Sequence, residues 1–590
     1  MTRCCIIGTG FSGTCMLWHF VKALCQTPPN NDLSAVEIFT VEQRRINGPG
    51  LPYDADDIEA HHLCNNPAEK MALFDNDFVD WMHANRQQLI HCHPDLIRAA
   101  HPMMPLDLWC PQPTTFYPRA LFGLYLSQRF SEACTLAKSR GIRVQNFNCY
   151  EVIDGWSAPA QDGKFTLTIR EIATHQERLI KQLDKVLLAS GHWKTATQSH
   201  ANILPSPYPS QHIRQAVAAL QASPPPQARA VFAVFVVFVN GMGPSAVDAI
   251  LTLFESGRFE LDADGLASRF IPCHDTSELA ELHVIAGSRS GFFPGVRWPL
   301  VDYQFAYLTD KHIAKLRQQA GRIDLTALLT LIDCELRAAG GNDLNLEAIR
   351  RPRLNNAYAK LLIDVEGALP ERLAYTIMLR ARRLRFYEDL RAADKRIYDT
   401  DLDTHFIRTA VPIPLPNAKK LIALIEAGVL STVALGYQGH QKNHRGVAEI
   451  DTEAGMVKPD LVIFSNGQNY DLDQHPSPLI RCLIKRREVV VHAEENYRPG
   501  GISASEANQF RVLNHLGESP AYSTTLYSFG RITQYWQNQN NFAAAFVAAA
   551  EAVAKEWMTS VRLHSRSASS TEKMSDTVTC TESLIDQHNA

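Results

Sequence analysis

The chain writes one pattern twice: a short apolar strand, a glycine turn, a helix, and a second strand. The first copy opens with "CCIIGTGFSG" at residues 4–13, runs on as a helix through "TCMLWHFVKAL" (14–24), and reaches the strand "VEIFTV" (36–41) after the breaker "TPPNND". The second starts beyond the proline-rich "SPPPQAR" (223–229). It has a strand over 231–239, then "NGMGPSAVDAILTLF", then the strand "LHVIAG" (282–287). Strands that alternate with helices in this way predict parallel βαβ units. At 590 residues the chain is too long for one core and is expected to pack as two or three units.

In the first copy three glycines, Gly8, Gly10 and Gly13, follow the strand directly and open the helix, with Ser12 among them. The helix start supplies free N–H groups and a positive dipole end for a pyrophosphate. Gly8 permits the tight turn, Gly10 lets a phosphate approach the backbone, and Gly13 lets helix and strand pack closely. Glu42 stands just past the second strand, where an acid binds a ribose hydroxyl, and "QTPPNNDLS" accounts for the long spacing. This is the pattern of a dinucleotide site.

The second copy carries Gly241 and Gly243, with Ser245 and Asp248 in place of a third glycine. It resembles the GxGxSxxD turn of a nicotinamide-binding domain. "AGSRSGFF" (286–293) puts Arg289 after the next strand, where a 2′-phosphate needs a cation, so NADPH is favoured over NADH. The predicted fold is therefore α/β with two Rossmann-like dinucleotide-binding domains.

Composition narrows the function classes. Charge is 58 minus 62, or −4, so no global basic field points to nucleic acid. The most apolar run, "AVFAVFVVFV" (230–239), is too short for a membrane helix and reads as a buried strand. The early Arg3 and the glycine-broken start make a poor signal peptide, and thirteen cysteines without a CxxC pair or zinc spacing read as reduced thiols. A cytoplasmic protein without a metal site is expected. A helical stretch runs from about 300 to 400, and its arginine-dense "LRARRLRFYEDLRAADKR" reads as a solvated face with charges of both signs. Strands return from 430, a helix closes the ordered chain at 541–563, and 564–590 is polar, Ser/Thr-rich and expected to be disordered.

Further blocks carry a family resemblance. "GPGLPY", "HHLCNNPAEKMALF", "FYPRALFGLYL" and "VLLASGHW" are similar to segments of the bacterial FAD-NAD(P)-binding proteins related to the class B flavin monooxygenases and N-hydroxylases. The resemblance implies FAD in the first unit and NADPH, with NADH open, in the second. It implies Asn65, Pro67, Arg119 and Gly191 on the flavin side, and Ser245 and Arg289 on the nicotinamide side. The expected division is 1–225 for the first part of the FAD domain, 226–300 for the NAD(P)H segment and 301–430 for a helical substrate region. Residues 431–563 then close the FAD domain, with "DLVIFSNG" and "LYSFGRIT" as its closing strands.

The implied activity is a monooxygenase that takes a small amine or amino acid and O₂ through a flavin C4a-hydroperoxide. A flavin reductase with another acceptor and a non-catalytic FAD-binding redox sensor stay open, as does a homo-oligomer. The lack of a paired thiol argues against a disulfide reductase. No catalytic acid or base stands out. His61, His62 and His192 read as hydrogen-bonding groups, and Arg297 with "RRLR" (382–385) could meet a substrate carboxylate.

Overall fold

The fold is described from a computed structural model. It describes all residues except 29–30, 75, 159–162, 194–201, 223–233, 273–280, 321, 353, 355, 437–440, 445–446, 467–470, 535–541, 562–563 and 566–590. The expected α/β architecture with two parallel sheets is present.

The first sheet has six strands in the order Arg511–Asn514, Ala521–Ser528, Lys185–Leu188, Thr2–Ile7, Val36–Glu42, Arg143–Asn148. All pairings are parallel except the first. Side chains alternate across a strand, so Cys4 and Ile6 enter one core while Cys5 and Ile7 enter another. The helices Phe11–Cys25, Arg119–Ser139 and Ala543–Met558 cover the first face, where Trp557 packs edge-on against Phe20 at 5.3 Å. The opposite face is covered by an antiparallel sheet of Tyr150–Ala158, Lys164–Glu171 and Glu177–Leu183. A parallel sheet buried on both faces reads as an unbroken apolar run, as "CCII" does.

The second sheet is Leu430–Ala434, Glu281–Ser288, Val234–Asn240, Leu461–Phe464, Ile203–Leu204, parallel throughout. Two expectations are corrected here. The strand in "DLVIFSNG" pairs with Val234–Asn240, not with the first sheet, and Leu430–Ala434 also joins the second. A central parallel strand needs a neighbour on each side, and an apolar run does not say which sheet will bury it. The second unit thus reaches from about 203 to 464, far beyond the 226–300 expected. The helical region is an insertion between Glu281–Ser288 and Leu430–Ala434.

That insertion has its own core, with Leu328, Ile332, Ile377, Met378, Phe386 and Phe406. Glu335 is fully buried on the helix Leu325–Gly340, and its carboxylate accepts from Tyr303 Oη and the backbone N–H groups of Ala306, Tyr307 and Leu308. The arginine-dense stretch is not a bare solvated face. Arg380 pairs with Asp310 at 2.9 Å, Arg391 with Asp394 at 3.1 Å, and Arg382 is buried. Lys395, also buried, pairs with Glu494 and so ties the insertion to the segment that packs under the first sheet. Of the polar tail, His564–Ser565 pairs antiparallel with Asn31–Asp32, and the rest lies outside the described residues.

Candidate functional site

Both glycine turns lie at the carboxyl ends of their sheets, where ligands of open α/β folds bind. Gly8 has φ +87°, and a Cβ there would lie 2.4 Å from Ala189 O. Gly13 is tighter still, because its Cβ would fall 1.9 Å from Gly8 O and 3.2 Å from Ile6 Cγ2. Gly10 caps the helix Phe11–Cys25 without a side-chain acceptor, and the backbone of Gly50 comes within 3.3 Å of where its Cβ would be. The first-turn N–H groups are therefore presented to a ligand rather than to a capping side chain.

Glu42 is buried and braces this turn. Its Oε2 accepts from Thr9 N–H at 2.7 Å and from Thr9 Oγ1 at 3.0 Å, and its Oε1 accepts from Arg44 N–H at 3.1 Å. Ser12 Oγ faces the Gly530 turn that follows Ala521–Ser528. Gly191, at φ +69° with open space around it, follows Lys185–Leu188. Gln534, just past the Gly530 turn, has a buried Nε2 with no hydrogen-bond partner among the described residues. Asn65 is half-buried, two residues beyond the bridge between Leu63 and Pro118.

At the second turn Gly241 has φ +131°, and its Cβ would meet Ser465 O at 2.6 Å. Gly243 caps the helix Pro244–Leu253 without a side-chain acceptor and faces open space. Ser465 Oγ is buried beside this turn with no hydrogen-bond partner among the described residues. Orphaned polar atoms at both turns, and cradles that a Cβ would fill, fit ligands that bring their own hydrogen-bonding groups.

Arg119 is held by protein groups: Nε donates to Leu63 O at 3.1 Å, and Nη1 meets Tyr208 Oη at 3.0 Å and Asp248 Oδ2 at 2.6 Å. Asp248 belongs to the helix after the second glycine turn. The start of Arg119–Ser139 in the first unit is thus joined by a buried ion pair to the second. A buried guanidinium needs an acid, and among the described residues Asp248 pairs with it. Burial opposes the charge on Arg119, but Asp248 and Tyr208 outweigh it and raise its pKa. Burial pushes the Asp248 carboxyl up while Arg119 and Tyr208 pull it back. Arg119 Nη1 and Tyr208 Oη both donate to Asp248 Oδ2, which favours the ionised pair.

His62 extends this cluster. Its Nδ1 accepts from Glu59 N–H at 3.2 Å, so Nε2 carries the proton and donates to Thr252 Oγ1 at 3.0 Å, which donates to Asp248 O at 2.9 Å. Burial drives His62 well below its usual range, with Arg119 adding to it, and burial with His62 alongside takes His61 down to about 3. Both folded-state values lie below the unfolded one of 6.5. Their contribution is therefore complete above that pH and lost as pH falls below it. Histidine NMR at pH 5 should find both imidazoles neutral, and a normal titration of either would show that the junction admits water.

Arg289 lies at the end of Glu281–Ser288, donating to Thr400 O at 2.8 Å and to Thr404 Oγ1. Arg297 is turned inward, with Nη1 donating to Tyr375 Oη at 2.6 Å. Sequence reasoning marked Asp248 but missed Tyr208 and Thr252, which no local motif announces. Among the described residues no three or more His, Cys, Asp or Glu gather as metal ligands, and no helix is long and apolar enough to cross a membrane.

Residues 5–193 match the family model described as FAD-NAD(P)-binding, which covers the first glycine unit and stops before the second. No curated protein matches the sequence. Similar solved structures include the L-lysine 6-monooxygenase from Pseudomonas syringae, with 13% identity, 95% of this chain and 100% of that one covered, and a TM-score of 0.46. The ornithine hydroxylase from Pseudomonas aeruginosa shows 11% identity, coverage of 95% and 99%, and a TM-score of 0.45. The cadaverine monooxygenase of desferrioxamine biosynthesis from Erwinia amylovora, solved bound to FAD, shows 9%, 98%, 99% and 0.47. Over residues 5–193 the chain carries an FAD-NAD(P)-binding domain.

Proposed function

We propose that the chain is an FAD-dependent, NADPH-using monooxygenase that hydroxylates a small amine or amino acid. The observation that carries this reading is the pair of uncapped glycine turns, one per parallel sheet, whose helix systems meet at the Arg119–Asp248 ion pair. Two dinucleotides held on joined frames suit hydride transfer from one to the other.

The N–H groups at the start of the helix, from Gly10 to Gly13, take the FAD pyrophosphate, with Ser12, Glu42, Asn65 and Gly191 along the rest of the cofactor. Gly241, Gly243 and Ser245 take the NADPH pyrophosphate, and Arg289 takes the 2′-phosphate side. Bound flavin supplies a two-electron acceptor and a means of activating O₂. The chain's part is to orient the two rings and to keep water out, and buried neutral histidines at the junction suit that role.

Purified protein should be yellow, release FAD on denaturation, and consume NADPH and O₂ in equal amounts when the right amine is present. A screen of diamines and basic amino acids that left oxygen uptake unchanged while a dye acceptor was reduced would move the reading to a flavin reductase. A flavin that NADPH never reduces would make the chain a sensor.

A further inference from the structure

A cleft of about 610 Å³ opens at the carboxyl ends of two strands of the second sheet. Arg289 and Ser290 follow Glu281–Ser288 on one wall, beside Ala434 at the end of Leu430–Ala434. The helical insertion makes the other wall. Arg350 and Arg351 stand at the end of Leu346–Arg350, and His405 and Arg408 on Asp403–Ala410.

Four guanidinium groups line this cleft against two carboxylates, Asp401 and Glu453. Glu347 approaches Arg350 and Arg351 only at 3.9 and 3.6 Å. Arg350 Nε is buried with no hydrogen-bond partner among the described residues. Arg289 is fixed by Thr400 and Thr404, and Arg408 by Ile349 O, so these cations are positioned before a ligand arrives. The local field is positive: burial first, then Arg408, Arg350, Arg289 and Arg351, push His405 down to about 4.

In a dinucleotide-binding unit the adenosine ribose lies at the end of the second strand, which here is Glu281–Ser288. We propose that this cleft is a phosphate-monoester subsite, in which Arg350, Arg351 and Arg408 of the insertion join Arg289 around the 2′-phosphate of the nicotinamide nucleotide. The proposal rests on the reading that the second glycine turn holds that nucleotide. It makes the insertion part of nucleotide selection, where the sequence suggested only a substrate pocket. Arginine suits the task because its planar fork meets phosphate oxygens in pairs.

The test needs no turnover. Full-length protein is titrated calorimetrically with adenosine 2′,5′-bisphosphate and with 5′-AMP. The bisphosphate should bind about ten- to a hundredfold tighter, the range of a charged hydrogen bond. Arg350→Ala with Arg351→Ala should remove most of that preference and leave 5′-AMP binding unchanged. Arg351→Glu alone, at a side chain 83% exposed, should do the same without touching the core. No preference in the wild type, or a preference that survives both variants, overturns the subsite. Bisphosphate preference without amine-stimulated oxygen uptake leaves the subsite standing and overturns the monooxygenase reading. Coupled hydroxylation with NADH and NADPH equally effective does the reverse.

Discussion

Asp248→Ala will destabilise the protein by about 3–5 kcal/mol, the cost of stripping one partner from a buried ion pair. Among the described residues Arg119 then keeps Leu63 O and Tyr208 Oη for a guanidinium that has almost no contact with water. Replacing both partners, with Arg119→Leu and Asp248→Leu, should recover much of the loss, because no charge is left uncompensated. The same variants separate stability from coupling. FAD remains bound, since neither residue touches the first glycine turn, while flavin reduction by NADPH slows as the two frames lose their fixed angle. Calorimetric unfolding checks the first effect and stopped-flow reduction the second. A single variant as stable as the wild type would mean that water already reaches the pair.

Gly13→Ala will remove FAD from the protein. The added methyl carbon would overlap Gly8 O at 1.9 Å, and that oxygen is backbone, so the helix Phe11–Cys25 must lift from the strand Thr2–Ile7. Overpacking of this kind costs about 1–3 kcal/mol or more, and the displaced helix start no longer faces the cradle. Gly10→Val should act at the same place more mildly, with its nearest obstacle at 3.3 Å. Visible absorbance per mole of purified protein reads both. Full flavin content in Gly13→Ala would mean that the cofactor does not depend on this turn.

The first glycine turn was legible because everything that defines it is local: an apolar strand, three glycines and a helix in a row. The parallel sheets followed from the same alternation. What stayed hidden depends on partners far apart in the chain. Leu461–Phe464 looks the same in either sheet until Val234–Asn240 is seen beside it. That Arg119 pairs with Asp248 at 2.6 Å, across the two units, is not written in either local segment. The basic cleft had a visible trace in "IRRP" (349–352), but nothing in that string says that Arg350 and Arg351 will line a cleft with Arg289. Pairing across an insertion is decided by tertiary packing, which local pattern does not encode.

The insertion also sets a timetable for synthesis. Val234–Asn240 pairs with Leu461–Phe464, and Lys185–Leu188 waits for Ala521–Ser528. A ribosome adding about 5–20 residues per second leaves that second strand edge without its neighbour for roughly 15–70 s. Throughout this interval an apolar, ready-made edge is open to another nascent chain. Yield in a heterologous host should therefore depend on temperature and on chaperone supply more than on the stability of the finished fold.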